Sequence, residues 1–288
     1  MERYDIIIIG TGPAGLEAAI TAKIRNKKFL LIGSDNLSTK IEKAHEVQNF
    51  LGLQIVTGTE MQKAFRSHIE KMGVQITEGR VNAVYPMGSY FGVQSSLGML
   101  EATSVILATG VVMAKPYPGE EQFLGRGVSY CATCDAPLYK NKTVAVIASS
   151  AHEEAEANFL SEVAQKVYYV PLYKEDVNVS EKITVVKELP KEITGGMKVD
   201  TLVTNNGSYN VDGIFILRES ISPGQLVQGI EMDGAHVKVN RLMETSVAGC
   251  FACGDITGKP YQYIKSAGEG NVAALSAVNY IDALAKKS

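Results

Sequence analysis

Two cysteines three positions apart, Cys131 and Cys134, are the residues whose type and spacing most clearly allow chemistry. On a helix, side chains at positions i and i+3 share a face, so the two sulfurs could form and break a disulfide. The positive end of a helix also favours the thiolate form of a cysteine placed there. Inert buried thiols and half of a zinc site are the alternatives. The surrounding sequence has to decide between them.

A second Cys-x-x-Cys pair, Cys250 and Cys253, lies in a short apolar segment near the C-terminal end. The segment has the pattern of a strand, in which positions i and i+3 point to opposite faces. A disulfide between them would need distorted geometry, so we predict two core thiols. The histidines show no metal-ligand spacing, and we predict no bound metal.

Length, charge and cysteine content narrow the class of protein. A chain of 288 residues with 45% hydrophobic content can form one large or two moderate α/β domains. A net charge of −3 gives no reason to expect nucleic acid or an anionic membrane as a partner. The first apolar run, at 6–9, is too short for a signal peptide or a membrane span. Cysteines this sparse do not form a secreted disulfide scaffold, so we expect a cytoplasmic protein.

A glycine-rich turn follows the first strand pattern. The β-branched run at 6–9 leads directly into Gly10, Gly12 and Gly15, spaced as Gly-x-Gly-x-x-Gly. Such glycines permit a tight turn, close approach of a pyrophosphate and packing of the next helix on the strand. An alanine-rich helix and a second strand at 29–32 follow, which is the context that this mechanism requires. The sequence therefore predicts a dinucleotide site here.

Two further segments are expected at the same site. The second strand ends in Gly33, Ser34 and Asp35, and we expect either Asp35 or the backbone to contact a ribose. Another short strand ends in Gly254 and Asp255. A carboxylate at that position can accept hydrogen bonds from sugar hydroxyls.

Together these motifs resemble those of the low-molecular-weight thioredoxin reductases along nearly the whole chain. The resemblance rests on the glycine turn at 10–15, the segment 46–52, the turn 108–110, the Cys-Ala-Thr-Cys-Asp segment 131–135, and Gly254 with Asp255. It implies an α/β fold with two Rossmann-like, three-layer domains of the nucleotide-binding type, an FAD cofactor and a homodimer.

Break signals place the expected domain boundaries. The proline- and glycine-rich stretch at 115–119 marks an exit near residue 112, and a return is expected around 241–245. A discontinuous FAD-binding domain is therefore expected at 1–112 and 243–288, with an inserted redox-disulfide domain, similar to a degenerate NADPH-binding domain, at 113–242. The resemblance implies that these two connections act as a hinge.

The resemblance also implies roles for individual residues. Cys134 would face the flavin ring, Cys131 would attack the disulfide of a partner protein, and Asp135 would donate a proton. Asp255 would contact the ribityl chain of FAD. The full set of expected cofactor-binding residues is Gly10, Thr11, Gly12, Pro13, Ala14, Gly33, Ser34, Asp35, Lys40, His45, Asn49, Val81, Ala108, Thr109, Gly110, Gly254, Asp255, Gln262, Tyr263 and Ile264.

The middle of the chain departs from the NADPH-dependent relatives. The strand at 143–147 leads into 148–150, Ala-Ser-Ser, where those relatives carry a glycine-rich turn. Side chains there fill space that a pyrophosphate needs. The stretch 171–173, Pro-Leu-Tyr, stands in place of their His-Arg-Arg cluster, and Glu219 in place of a glycine. We therefore predict that the second nucleotide site is lost.

Electrons must then enter by another route, and the chain looks most like the ferredoxin-dependent flavin thioredoxin reductases. In that interpretation reduced ferredoxin supplies electrons to FAD, and the Cys131/Cys134 disulfide passes these electrons to thioredoxin. The alternatives are a diflavin enzyme with a second FAD, a divergent NAD(P)H-dependent reductase with Glu175 or Asp176 on a ribose, and a redox sensor without turnover.

Basic residues crowd the end of the first predicted helix: Lys23, Arg25, Lys27 and Lys28. Such a cluster could steer an acidic ferredoxin. Basic residues also complement the negative end of a helix, and we favour this explanation for most of the cluster.

Overall fold

The computed structural model describes residues 3–42, 44–111, 116–218 and 221–286, without the side chains of Thr39 and Cys134. The chain divides into two compact units. The first unit comprises Met1–Val112 and Ile221–Ser288, and the second, Met113–Ser220, is inserted within it.

The first segment of unit 1 alternates strands and helices. Its elements are β1 (Tyr4–Ile9), α1 (Pro13–Ile24), β2 (Phe29–Gly33), α2 (Thr39–Glu42), α3 (Gly58–Lys71), β3 (Ile76–Glu78), β4 (Val81–Pro86), β5 (Phe91–Ser95) and β6 (Gly98–Leu107). The strands form a sheet in the order β3-β2-β1-β6-β5-β4. Strands β3, β2, β1 and β6 are parallel to one another, and β6, β5 and β4 form an antiparallel meander. Helix α1 ends two residues before Asn26, which has a positive φ of 51°.

Unit 2 has its own parallel sheet. Its elements are β7 (Val128–Ser129), α4 (Ala132–Asp135), β8 (Thr143–Ala148), α5 (Glu154–Val163), β9 (Lys166–Pro171), β10 (Ile183–Val185), β11 (Pro190–Gly195), β12 (Val199–Thr204), β13 (Ser208–Asn210) and β14 (Gly213–Leu217), with 3-10 turns at Ala136–Tyr139 and Ala151–Glu153. The parallel strands lie in the order β10-β9-β8-β14-β7, and β11-β12-β13 form a separate antiparallel sheet. The apolar side chains of β8 and β14 form the core together with α5 and β9.

The last segment returns to unit 1. Its elements are α6 (Pro223–Leu226), β15 (Met232–Asp233), β16 (His236–Val237), β17 (Cys250–Ala252), a 3-10 turn at Gly254–Thr257 and α7 (Tyr263–Ala285). Strand β17 pairs with β6, and α7 packs on α1. The approach is so close that a Cβ added to Gly270 would lie 2.1 Å from the Ala14 carbonyl oxygen. The first and last segments therefore share one core.

The position of this return differs from the predicted one. The chain rejoins unit 1 at Ile221 rather than near residue 243. The reason is packing, because α6 lies against β4 and Val227 forms a β-bridge with Val84. Both valines are almost completely buried, at 0% and 1% exposure, and their burial holds 221–242 on the first unit. The break signal at 241–245 marks a turn inside unit 1.

None of the helices within the described ranges has the length and the apolar character needed to cross a membrane.

Candidate cofactor and disulfide sites

The turn after β1 can only be built from glycine at two positions. Gly10 has a positive φ of 114°, and a Cβ there would lie 2.3 Å from the carbonyl oxygen of Ala108. A Cβ on Gly15 would lie 1.8 Å from the carbonyl oxygen of Gly10. These two glycines are therefore required for the close packing of α1, β1 and the end of β6.

Gly12 differs from its neighbours because open space surrounds it. Its φ of −76° is accessible to any residue, and no atom lies within 4 Å of the position that a Cβ would take. Gly12 is the N-cap of α1, where no side chain caps the helix and the first turn carries no acidic residue. The amide end of α1 can thus accept an anion. This open cradle fits the pyrophosphate of a dinucleotide.

The tip of β2 contacts the same turn. The Thr11 hydroxyl donates to the carbonyl oxygen of Ser34 at 2.9 Å, and a Cβ on Gly33 would approach the Thr11 methyl group to 2.9 Å. Asp35, which we expected to contact a ribose, forms an ion pair with Arg66 at 3.1 Å. No sequence signal pointed to Arg66. The ribose contact of Asp35 stays a prediction.

The end of β6 carries a polar atom that lacks a partner. The hydroxyl oxygen of Thr109 is buried and has no hydrogen-bond partner among the described residues. Gly110 follows with a positive φ of 70°, and the ammonium of Lys40 donates to the carbonyl oxygen of Val111 at 3.2 Å. An unpaired buried hydroxyl is costly. A bound polar ligand would remove that cost, which agrees with a cofactor at this turn.

Four predicted residues from distant parts of the chain meet near this turn. The amide nitrogen of Asn49 donates to Gln262 Oε1 at 2.7 Å. The hydroxyl of Tyr263 donates to the carbonyl oxygen of Lys40 at 3.3 Å. Tyr263 also packs against the small apolar cluster that includes Ile41. The structure thus joins the 40–56 region to the start of α7, as a split FAD domain requires.

The turn at Gly254–Thr257 is held by two charged side chains that sequence reasoning missed. The ammonium of Lys265 donates to the carbonyl oxygens of Gly254 at 2.9 Å and Gly258 at 2.8 Å. The carboxylate of Glu269 accepts from the Gly254 N–H at 2.9 Å and pairs with Lys265 at 3.2 Å. Their i,i+4 spacing on a helix was the available signal. Together they fix the turn that carries Asp255.

Asp255 is oriented by a residue of α7. The structure shows less about three other expected cofactor-binding residues. The Ser266 hydroxyl donates to Asp255 Oδ1 at 3.1 Å. His45 and Ile264 are exposed, and Val81 is buried at the start of β4 opposite Ser95. The cofactor contacts of these three residues stay predictions.

Cys131 lies two residues after the end of β7 and is disulfide-bonded. The residue as a whole has 9% exposure. The Cys131 N–H donates to the Ser129 hydroxyl oxygen at 3.1 Å, and that hydroxyl donates to the Cys131 carbonyl oxygen at 3.2 Å. The Ser129 side chain therefore fixes the backbone at Cys131.

The helix after Cys131 is short. Helix α4 is a single turn followed by a 3-10 turn at Ala136–Tyr139. A helix of this length has a weak dipole, so it contributes little to thiolate stability. Asp135 is half-buried and makes no side-chain cap on the 3-10 turn.

The second cysteine pair is structural. Cys250 and Cys253 are free thiols with 1% and 0% exposure. Burial raises the pKa of Cys250 to about 12, and burial together with the nearby Glu269 carboxylate raises the pKa of Cys253. Both are thus protonated and unreactive near neutral pH, and the prediction of core thiols is confirmed. Within the described ranges no group of three or more His, Cys, Asp or Glu side chains could hold a metal ion.

In unit 2 the segment after β8 leads into helix α5, which begins with acidic residues. Helix α5 carries Glu154 and Glu156 in that turn, and no side chain caps it. Glu154 Oε1 accepts from the Tyr173 hydroxyl at 2.6 Å and from the Asn178 N–H at 3.0 Å. A pyrophosphate at this helix end would meet a carboxylate rather than free amides.

An aromatic pair completes this arrangement. The hydroxyls of Tyr169 and Tyr173 are 2.8 Å apart. Burial and hydrogen bonding to Glu154 raise the pKa of Tyr173, so its hydroxyl stays protonated. Tyr173 belongs to the stretch that replaces the phosphate-binding arginines of NADPH-dependent relatives. The chain's own side chains therefore occupy this end of the sheet. Glu219, the third expected departure, lies outside the described residues.

Known proteins resemble the chain along its whole length. The sequence profile of the family "Pyridine nucleotide-disulphide oxidoreductase" matches residues 4–270. A thioredoxin reductase of Bacillus subtilis (strain 168) is 30% identical, and the match covers 98% of this chain and 96% of the relative. A thioredoxin reductase of Ureaplasma parvum serovar 3 is 32% identical, with 97% of each chain covered.

Solved structures give the same result. A ferredoxin-flavin thioredoxin reductase from Clostridium acetobutylicum is 52% identical with a TM-score of 0.91, and the match covers 99% of this chain and 100% of that one. A thioredoxin reductase from Gloeobacter violaceus is 25% identical with a TM-score of 0.81, over 98% and 95% of the two chains. The chain therefore belongs to the pyridine nucleotide-disulphide oxidoreductase family and is a flavin-dependent disulfide oxidoreductase of the thioredoxin reductase type, with FAD as its cofactor.

Proposed function

We propose that this enzyme reduces thioredoxin with electrons from reduced ferredoxin, through FAD and the Cys131/Cys134 disulfide. The observation that carries the proposal is the hydrogen bond between Glu154, at the start of α5, and Tyr173, at the place where a second nucleotide would bind. A pyridine nucleotide would have to displace this partly buried hydrogen bond and bring its phosphates to a carboxylate. The 52% identity to a ferredoxin-flavin thioredoxin reductase supports the choice of donor.

Unit 1 would hold the FAD. Gly12 and the amide end of α1 would bind the pyrophosphate, and the Thr109 hydroxyl and the Asp255 carboxylate would offer hydrogen bonds to the flavin end of the molecule. Asn49 and Gln262 would form the adjoining wall, since they already bind each other. FAD, when bound, exchanges electrons one or two at a time, which suits a single-electron donor and a two-electron disulfide.

Unit 2 would carry the thiol chemistry. After the disulfide is reduced, the Cys131 thiolate attacks one sulfur of the thioredoxin disulfide, and the other thioredoxin sulfur leaves as a thiolate. The second thiol of the enzyme, from Cys134, then displaces reduced thioredoxin and restores the enzyme disulfide. Asp135 would hold the proton for the leaving thiolate. Hydrogen bonds between Ser129 and Cys131 and from the Thr133 N–H to Glu156 keep the backbone around Cys131 in place.

The remaining parts of the proposal are the assembly, the compartment and the donor surface. We propose a homodimer, by likeness to the family, and a cytoplasmic location, because a cycling disulfide needs a reducing compartment.

The basic cluster at the end of α1 is poorly suited to bind ferredoxin, the proposed electron donor. Lys27 is paired with Asp282 at 2.5 Å, and the 12-residue helix separates the cluster from Gly12 by about 18 Å. Steering by this cluster is therefore not part of the proposal.

An anaerobic donor comparison tests the proposed function. We expect NADPH and NADH at millimolar concentration to leave the flavin absorbance band unchanged, and reduced ferredoxin to bleach it and to sustain thioredoxin reduction. Rapid bleaching by either nucleotide would establish the divergent NAD(P)H site instead. Two FAD per chain would establish the diflavin enzyme, and a single round of thioredoxin reduction without further turnover would establish a sensor.

Replacing Asp135 by asparagine tests its role as proton donor. The amide keeps the size of the side chain but cannot transfer a proton, so thioredoxin turnover should fall by about tenfold or more. Since Asp135 makes no cap on the following turn, the thermal unfolding midpoint should change little. A variant that turns over at the parental rate across the pH range would exclude the acid role.

A further inference from the structure

A fully buried carboxylate in unit 2 has no part in the chemistry described above. Glu120 has 0% exposure. Its two oxygens lie 2.6 Å and 2.7 Å from Nη1 and Nη2 of Arg218, a bidentate pair. Removing a carboxylate from water is costly in the absence of compensation. A buried ion pair is thus weak evidence for stability alone, and its placement requires another explanation.

Glu120 binds two more groups, so its geometry is fixed. The Tyr130 hydroxyl donates to Oε1 at 2.9 Å, and the Tyr117 N–H donates to Oε2 at 2.8 Å. The Arg218 guanidinium lies 5.3 Å from the centre of the Tyr117 ring. Burial and the neighbouring carboxylate raise the pKa of Tyr130, so its hydroxyl remains a donor. Each carboxylate oxygen therefore has two donors, which allows one arrangement only.

The partners of Glu120 occupy special positions in the chain. Tyr117 stands at the beginning of unit 2, where the chain has just arrived from unit 1. Arg218 stands at the end of unit 2, directly after β14. Tyr130 directly precedes Cys131 and follows β7, the strand that pairs with β14. One carboxylate thus binds the entry of the polypeptide, its exit and the residue before the disulfide.

We propose that Glu120 and Arg218 are positioning residues for the disulfide. They hold Cys131, through Tyr130, in a fixed relation to Tyr117 and Arg218, near the two ends of its unit, so the disulfide and these residues move as one rigid piece. The inference rests on the proposed function, in which the disulfide is reduced inside the enzyme and then reduces a separate protein. The internal step depends on the orientation of the disulfide within its unit. The external step does not, because thioredoxin approaches freely from solution.

The test separates these two half-reactions in the FAD-loaded enzyme. The variant is the double substitution Glu120→Gln with Arg218→Met, which removes both charges and leaves neither one unpaired. The internal step is measured as reoxidation of photoreduced flavin by the disulfide. The external step is measured as single-turnover reduction of thioredoxin by dithiothreitol-reduced enzyme, which needs only the thiols of unit 2.

We expect the internal step to slow by about tenfold or more, while the external step stays within about twofold of the parental rate. Arg218→Lys, which keeps the charge but loses the bidentate geometry, should give an intermediate internal rate. Arg126→Met is the matched control, since the side chain of this exposed arginine of the same unit binds only the Gln122 carbonyl in the described contacts. It should leave both steps unchanged.

Two results would overturn the inference. Parental rates in both half-reactions of a folded double variant would show that the Glu120 contacts do not position the disulfide. Equal losses in both half-reactions, together with a lower unfolding midpoint, would show a purely structural role. Failure of the proposed function looks different, because the parental enzyme itself would then show no reoxidation of flavin by its disulfide.

Discussion

Replacing Cys131 by serine should abolish thioredoxin reduction while FAD stays bound. The nucleophilic sulfur is lost, and a serine hydroxyl cannot form the mixed disulfide on which exchange depends. Turnover should fall by about a thousandfold or more, as expected when a nucleophile is removed. FAD content should be unchanged because the open cradle at Gly12 and the turn at Gly254–Thr257 belong to unit 1, whereas Cys131 belongs to unit 2. Steady-state turnover and the ratio of flavin to protein absorbance measure the two effects.

The second cysteine pair provides the matched control. Cys250→Ser combined with Cys253→Ala should retain most of the turnover, because both thiols are free, buried and protonated. Their replacement should instead lower the unfolding free energy, by about 1–3 kcal/mol, for the polar group or the small cavity introduced into the core. Loss of turnover with unchanged FAD content and folding would assign redox work to this pair and reverse our interpretation.

The cofactor cradle was predictable from sequence because its causes are local. Gly10 adopts a positive φ and Gly15 lies against the Gly10 carbonyl oxygen. Both requirements arise within the turn itself, so a short motif is sufficient to identify these glycines. The contact partners were not predictable. Arg66 reaches Asp35 from helix α3, and Lys265 and Glu269 reach back to the turn that precedes their helix. Such contacts depend on how elements pack, which no local pattern encodes.

Unit 2 shows the same division between local and long-range information. The prediction that its nucleotide site is lost rests on missing glycines and arginines, which the sequence shows directly. The contact between Glu154 and Tyr173 could not be predicted, because these residues are 19 positions apart and meet only after β8 and β9 pair. Glu120 and Arg218 are 98 residues apart, and neither belongs to a recognisable motif. The return of the chain at Ile221 was missed for a related reason, since the β-bridge between Val84 and Val227 left no break signal.

Gly12→Val should produce a folded protein that does not bind FAD. A side chain at this position meets no atom within 4 Å, and the φ of −76° suits any residue. The apoprotein should therefore lose only about 1 kcal/mol of unfolding free energy, from the poorer N-cap. The valine methyl groups would project into the cradle, where a pyrophosphate needs bare backbone and the amides of α1. We expect FAD affinity to fall by about a thousandfold or more, measured by fluorescence quenching on titration of the apoprotein.

Gly15→Ala distinguishes this effect from damage to the fold. Its Cβ would lie 1.8 Å from the Gly10 carbonyl oxygen, so α1 would have to move away from β1. Here the apoprotein itself should be destabilised, by about 3 kcal/mol or more, and FAD binding should fall as a consequence. The two variants should therefore differ in what is lost first. Gly12→Val should lose FAD binding while it stays folded, whereas Gly15→Ala should lose folding stability first. If Gly12→Val retained FAD with parental affinity, the pyrophosphate could not lie on this turn, because the valine side chain would occupy the open space beside Gly12.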